Sequence, residues 1–324
     1  MSGERALAAS SRRKIRIWAQ ICAAAALTLS ACVSFPGAPP ASVAPSIEAD
    51  GLHSIDGAVL GLQRWEAETP RAVIVALHGM NDYSQAFAHP AAWWAAESGI
   101  TTYALDQRGF GRSPNFGYWV GEATMVADLR AAIAAARAKH PGVPVFALGH
   151  SMGAGVILAA EAQSPLGADG LILAAPGVWG GASLPVPYRF AANLAATFAP
   201  GKTLTGERAE RQSTDNLEIL REMYRDPLVI KETRLDAVVG VTRVMGSAYG
   251  GAKHVRGDIL FLMGEKDEII PLKAMGKTAM RLKGDVTVRR YPAGWHLLFR
   301  DLQARRVWAD VAGWIGREAE RNAP

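Results

Sequence analysis

An α/β fold, a mostly parallel sheet with helices on both faces, is what this sequence predicts, on three observations. Short apolar runs alternate with helical segments from residue 72 to 176, and again after 258. Those runs lack the polar alternation of a half-exposed strand, so both of their faces should be covered. Polar and glycine-rich segments recur where the runs end, and open α/β sheets put their sites at the C-terminal ends of their strands.

Residues 1–31 read as a leader: basic "RRKIR", an apolar alanine-rich run from Ile17 to Leu29, then "LSAC" ending at Cys32. This resembles the lipobox of bacterial lipoproteins, which implies a thiol-linked lipid on Cys32, with the small Ala31 before it. An ordinary secretory signal and an uncleaved anchor are the alternatives; Gln20 and the short core disfavour the anchor, since a span takes about 20 apolar residues. The other cysteine, Cys22, lies in the same leader, so the body has no thiol for a disulfide or a cysteine-held metal. Five cations against Glu4 place +4 of the net +5 in the leader and leave +1 on the rest. No basic footprint remains, so nucleic acid is not an expected partner.

Residues 32–49, rich in Pro and Ala, read as a tether, and the folded body is expected from 50 to 324. Asp56-Gly57 suits a hairpin turn between two short runs. "AVIVAL" (72–77) reads as a strand ending in "HG", followed by a helix from Ser84 to Glu97. "ITTYAL" (100–105) leads into the loop "DQRGFGRSPN", and a helix spans Glu122 to Lys139. "VPVFAL" (143–148) and "GLILAAP" (170–176) follow as strands. From about 177 to 252 the alternation stops: two amphipathic helices are expected, at 186–200 and 235–250, and no strand. "DILFLMG" (258–264), a helix near Leu272–Leu282, the strand "VTVRRYP" and a last helix through Trp308 and Trp314 complete the sheet. One α/β sheet is thus interrupted by one helical insertion.

"LGHSMGAG" (148–155) sits between a strand and a helix. A sharp turn there strains its central residue and needs neighbours without side chains, which Gly149 and Gly153 supply. Ser151 would then project at the top of the sheet near helix N-terminal amides. Serine attacks only if a base takes its proton, and a near-neutral base means histidine. Of seven histidines, His296 in "GWHLLFRD" lies in a loop on the side where the serine emerges. His150 leaves the turn in another direction and is expected to pack in the core or on a helix face; His78 should order its own loop. His53, His89, His140 and His254 read as surface residues. The acid should follow a strand between serine and histidine, where Glu265, Asp267 and Glu268 all qualify by spacing.

The motifs "HGMNDYS", "DQRGFGRS", "GHSMG", "LILAAP", "GEKDEIIP" and "GWHLLFRD", in this order over most of residues 50–320, resemble the α/β-hydrolase superfamily, in particular its monoacylglycerol lipase and lysophospholipase branch. The resemblance implies the α/β-hydrolase fold with a helical lid over about 177–252. It also implies Ser151 as nucleophile, Asp267 as acid, His296 as base, and backbone amides of Met80 and Met152 as oxyanion donors. The last matches the geometric expectation of one donor from each of two loops. Two departures stand out. Met80-Asn81-Asp82-Tyr83-Ser84 replaces the common glycine and His-Ser pair, with Asn81 still able to take a left-handed backbone. Ala154 replaces a second glycine.

Leu184, Val186, Tyr188, Phe190, Leu194 and Phe198 form an apolar set in the insertion, expected to pack the lid on the body, to line an acyl channel, or both. The expected function is a serine hydrolase acting on a carboxylic ester of a lipid-like substrate, monoacylglycerol or lysophospholipid, with no metal or organic cofactor. It would be held at a membrane surface in the bacterial cell envelope; Val33 where an aspartate often follows the cysteine points weakly to the outer membrane. A broad short-chain esterase or aminopeptidase-like hydrolase is the alternative in the same chemistry. A non-catalytic envelope scaffold is the alternative of another class.

Overall fold

The apolar runs form the buried strands of a seven-stranded sheet in the computed structural model, which describes residues 33–205 and 211–321. The leader and Cys32 lie outside the described residues. In chain order the strands are β1 (Leu62–Trp65), β2 (Ala72–Leu77), β3 (Ile100–Leu105), β4 (Val145–His150), β5 (Gly170–Ala174), β6 (Asp258–Gly264) and β7 (Asp285–Tyr291). Their order across the sheet is β7-β6-β5-β4-β2-β3-β1. All neighbours are parallel except β1, which runs antiparallel to β3 at one edge.

The helices are α1 (Ala88–Ser98), α2 (Glu122–Lys139), α3 (Met152–Gln163), α4 (Val186–Phe198), α5 (Leu217–Arg225), α6 (Leu235–Gly251), α7 (Leu272–Ala279) and α8 (Ala304–Arg321). They cover both faces of the sheet. Val73, Val75, Leu77, Val145, Ala147, Leu171 and Phe261 face α2, α3, α6 and α7. The intervening residues Ile74, Phe146, Leu148, Ile172, Leu260 and Leu262 face α1 and α8, with Trp94 and Trp314 fully buried among them. Covering both faces is why these strands show no polar alternation. Each buried Leu, Ile, Val or Phe side chain contributes about 1.5–3 kcal/mol relative to exposure, so the sheet centre is the most rigid support available to a site.

Parallel register brings the strand ends level: Leu77 is opposite both Leu105 and Gly149, and His150 is opposite Ala174. The loops after β2, β4, β6 and β7 therefore open on one edge.

Three expectations need correction. Ser46–Glu48, assigned to the tether, pairs antiparallel with Gly51–His53, which in turn pairs with Val59–Leu60 across the expected Asp56-Gly57 turn. Residues before it also touch the body: Phe35 stacks edge-on against Trp119, and the Val33 carbonyl accepts from Arg243 of α6. The insertion contains a two-stranded ribbon, Thr203–Thr205 with Glu232–Arg234, where no strand was expected, and a third helix, α5. The ribbon is polar and short, so it carries no periodic signal.

The apolar lid set is the third correction. Val186, Phe190, Leu194 and Phe198 recur every fourth residue on α4 and face outward, Phe190 65% and Phe198 79% exposed. They neither pack the lid down nor line an interior channel in this arrangement. The side chain of Tyr188 lies outside what is described. No helix among the described residues is long and apolar enough to cross a membrane.

Candidate active site

The nucleophile turn follows from its glycines. A Cβ on Gly149 would lie 2.3 Å from the Ala154 nitrogen, and one on Gly153 would lie 2.2 Å from the Leu77 carbonyl oxygen, so neither position accepts a side chain. That close approach lets β4 turn directly into α3. Ser151 takes up the change of direction at φ 51°, ψ −112°, a conformation costly for a residue with a side chain. It is held by backbone bonds: its N–H donates to Ala174 O at 2.9 Å, and its carbonyl accepts from Gly155 and Gly177.

Three chain segments meet at Ser151. His296, after β7, has Nε2 3.0 Å from Ser151 Oγ, and its Nδ1 is 2.8 Å from Asp267 Oδ2. With Nδ1–H donating to the carboxylate, Nε2 is left free to accept the serine proton. Asp267, after β6, is oriented in turn by the amides of Ile269 and Ile270, which donate to its Oδ1 at 2.8 and 2.9 Å. All three residues are buried. The rival acids point elsewhere: Glu265 pairs with Arg290, and Glu268 accepts the Gln212 amide.

Met80 and Met152 carry the two amides proposed as oxyanion donors. Met152 opens α3, where an N–H has no intrahelical acceptor. Met80 follows Gly79, at which a Cβ would sit 3.3 Å from Ser151 Cβ. Among the described residues nothing accepts the Met80 N–H. His78 orders this loop as expected: its Nε2 accepts the Gln107 N–H at 3.0 Å, so its Nδ1–H donates to Gly79 O at 2.7 Å.

Sequence reasoning missed the residues that brace His296. His150 is buried as expected, but it also donates from Nε2 to the His296 carbonyl oxygen at 2.9 Å. Burial, reinforced by the adjacent His296, pushes its imidazole down to about 3, so it stays neutral. Asp301 accepts the Trp295 N–H through Oδ2 and the Thr214 hydroxyl through Oδ1, at 2.8 and 2.6 Å. Burial raises its pKa despite those bonds. The segment of the insertion beside it pins the loop, with Ser213 O accepting from Leu297 N. Asp106 and Arg108 of the "DQRGFGRS" motif are structural. Asp106 accepts the Ser84 and Arg112 amides, and Arg108 joins Asp56 to the buried Asp128.

A serine on a strand-to-helix turn, with acid and base from the next strand ends in the order Ser, Asp, His, defines the α/β-hydrolase class. Within it, the chain belongs to the family described as serine aminopeptidase, S33, whose model matches residues 68–303. It is 29% identical over 258 residues to the monoacylglycerol lipase of Mycolicibacterium smegmatis, covering 78% of this chain and 90% of that protein. It is 30% identical over 269 residues to the monoglyceride lipase homolog of monkeypox virus, covering 82% and 96%. Among solved structures, a soluble variant of monoglyceride lipase from Saccharomyces cerevisiae in complex with a substrate analog shares the fold, with TM-score 0.72 at 19% identity over 87% of this chain and 99% of that one.

Proposed function

We propose that this protein is a lid-covered serine hydrolase that cleaves the carboxylic ester of a single-chain lipid, a monoacylglycerol or a lysophospholipid. The observation that carries it is the Ser151–His296–Asp267 relay, with contacts of 3.0 and 2.8 Å. Ser151 Oγ attacks the ester carbonyl while its proton passes to His296 Nε2. Asp267 stabilises the imidazolium, and the Met80 and Met152 N–H groups stabilise the oxyanion. Collapse of the tetrahedral intermediate breaks the bond to the alcohol, which leaves with the proton from His296 Nε2. Water, deprotonated by the same nitrogen, then attacks the acyl-enzyme and releases the fatty acid and Ser151.

The substrate class is supported by the names of the curated relatives and by the outward apolar face of α4, which suits an enzyme that meets its substrate at a lipid surface. A lipid on Cys32 would hold it there, in the cell envelope. The Val33 carbonyl accepts from Arg243 of α6, whose guanidinium also donates to Asn193 of α4, so such an anchor would emerge beside the lid. The family description favours one other reading, an aminopeptidase-like hydrolase.

The test is a panel on the protein from residue 33 onward: long-chain monoacylglycerol, lysophospholipid, a short-chain nitrophenyl ester and an amino-acyl amide. Cleavage of a single-chain lipid, together with fluorophosphonate labelling abolished by Ser151→Ala, is expected. Preference for the amide would replace the lipid reading, and a folded protein that resists labelling would overturn the enzyme.

A further inference from the structure

The loop after β2 carries a side chain where a glycine would suffice. Gly79 O accepts the Asp82 N–H at 3.3 Å, closing a four-residue turn whose third residue, Asn81, stands at φ 65°. Glycine meets that demand without steric cost; asparagine tolerates it and adds an amide. The amide reaches the lid: Asn81 Nδ2 donates to Thr233 Oγ1 at 2.6 Å, across 152 positions of chain. The backbone of the same residue reaches it too, since Ile230 N–H donates to Asn81 O at 2.9 Å. Nearby, the Tyr83 hydroxyl donates to Asp226 Oδ2 at 2.6 Å, and Asp82 pairs with Arg300, four residues beyond His296. Thr233 lies in the ribbon strand Glu232–Arg234.

Met80 is the second residue of that turn, so the direction of its N–H moves with the turn. The turn is braced from the lid side by two hydrogen bonds through one residue. Asn81 Oδ1 is buried and finds no partner among the described residues, so the Thr233 contact carries the polar anchoring of this side chain.

We infer that Asn81 is a positioning residue that couples docking of the lid ribbon to the oxyanion hole. Thr233 and Ile230 hold the turn in the form that aims the Met80 N–H at the reacting carbonyl. With residues 230–234 lifted, the turn loses both braces and the donor loses its aim. Productive geometry is then completed only when the lid is seated over substrate. The inference rests on Met80 serving as an oxyanion donor.

The experiment compares Asn81→Gly, Thr233→Val, Thr233→Ser and the Asn81→Gly/Thr233→Val double variant with the unsubstituted chain, by kcat and KM on a soluble nitrophenyl ester and by thermal melting. Asn81→Gly keeps the turn and removes the amide; Thr233→Val removes the acceptor at constant size. Each single variant is expected to lower kcat by about five- to tenfold, the worth of one hydrogen bond, with KM within about twofold. The double variant should fall no further than the worse single one, because both remove the same contact. Thr233→Ser should keep the kcat of the unsubstituted chain. The inference is overturned by kcat within about twofold of it in both single variants, by a loss confined to KM, or by losses that multiply in the double variant. It is equally overturned if kcat falls only in proportion to unfolded protein. An unsubstituted chain that neither turns over the ester nor takes up a fluorophosphonate removes the oxyanion reading and this inference together. An active chain with indifferent variants removes the inference alone.

Discussion

His150 holds the backbone of His296: its Nε2 donates to the His296 carbonyl oxygen at 2.9 Å, and the two rings stand 5.0 Å apart. One residue of the serine turn thus fixes the loop that carries the base. β4 and β7 are separated by two strands, and this contact ties the His296 backbone directly to the serine turn, beside the bonds that Asp301 and Ser213 make to Trp295 and Leu297. The contact needs a neutral His150. A protonated ring in that site would lie beside the imidazolium that His296 becomes in the proposed mechanism.

Neutral burial has a pH signature. His150 is pushed down to about 3 by burial and by His296, and burial lowers His78 as well. In the unfolded chain both titrate near 6.5, at about the ordinary value. The unfolded state therefore binds more protons below about pH 6.5, and stability falls with pH from there toward 3. The slope contributed is at most about 1.4 kcal/mol per pH unit for each histidine. His150→Gln can still donate to His296 O but cannot take a proton. Urea midpoints between about pH 4.5 and 7.5 should fall less steeply for this variant than for the unsubstituted protein. Parallel profiles would mean that His150 is not the group responsible.

The turn glycines make a sterically sharper case. A methyl group at Gly153 meets the Leu77 carbonyl of β2 at 2.2 Å, and one at Gly149 meets the Ala154 nitrogen of α3 at 2.3 Å, both backbone atoms. Gly153→Ala and Gly149→Ala should each cost about 2–4 kcal/mol of unfolding free energy. Chemical denaturation measures this, and a loss under about 1 kcal/mol at either site would contradict the close approach.

What was legible in the sequence follows from the range of the forces involved. β2 and β3 were readable to the residue because continuous burial on both faces writes an uninterrupted apolar run. The serine turn was readable because its demand for glycine is local. The ribbon was not, since Thr203–Thr205 and Glu232–Arg234 are exposed or half-buried residues whose only signal is pairing across 27 or more positions. The bracing roles of His150 and Asn81 depend on partners in distant segments of the chain, and Asp301 joins nearby Trp295 to Thr214, 87 positions away. His150 illustrates the difference: a packing role in the core or on a helix face was legible from the turn, while its acceptor lies 146 positions away.

The outward face of α4 predicts a separation of stability from interfacial activity. Phe190 and Phe198 are 65% and 79% exposed, so exchanging both for serine should change folding stability by no more than about 0.5 kcal/mol each. Hydrolysis of a soluble short-chain ester should be unaltered. Hydrolysis of emulsified long-chain monoacylglycerol, and sedimentation with phospholipid vesicles, should both drop several-fold as apolar contact area is lost. Equal rates on both substrates would show that this face does not meet lipid.

The acid can be tested by a substitution whose outcome the neighbouring amides dictate. Ile269 and Ile270 both donate to Asp267 Oδ1. In Asp267→Asn those two donors hold the amide oxygen on their side and turn its NH2 toward His296 Nδ1. The imidazole must then accept at Nδ1 and carry its proton on Nε2, where it can no longer take the proton of Ser151. The expected result is a folded protein with kcat down by about 10³–10⁴-fold and fluorophosphonate labelling slowed to a similar extent. In the proposed mechanism the residual rate comes from the Met80 and Met152 amides. Glu265→Gln, which loses only a surface pair with Arg290, and Glu268→Gln, which keeps an acceptor for Gln212, should stay within about twofold. Asp267→Asn activity within about tenfold of the unsubstituted protein would assign the acid elsewhere.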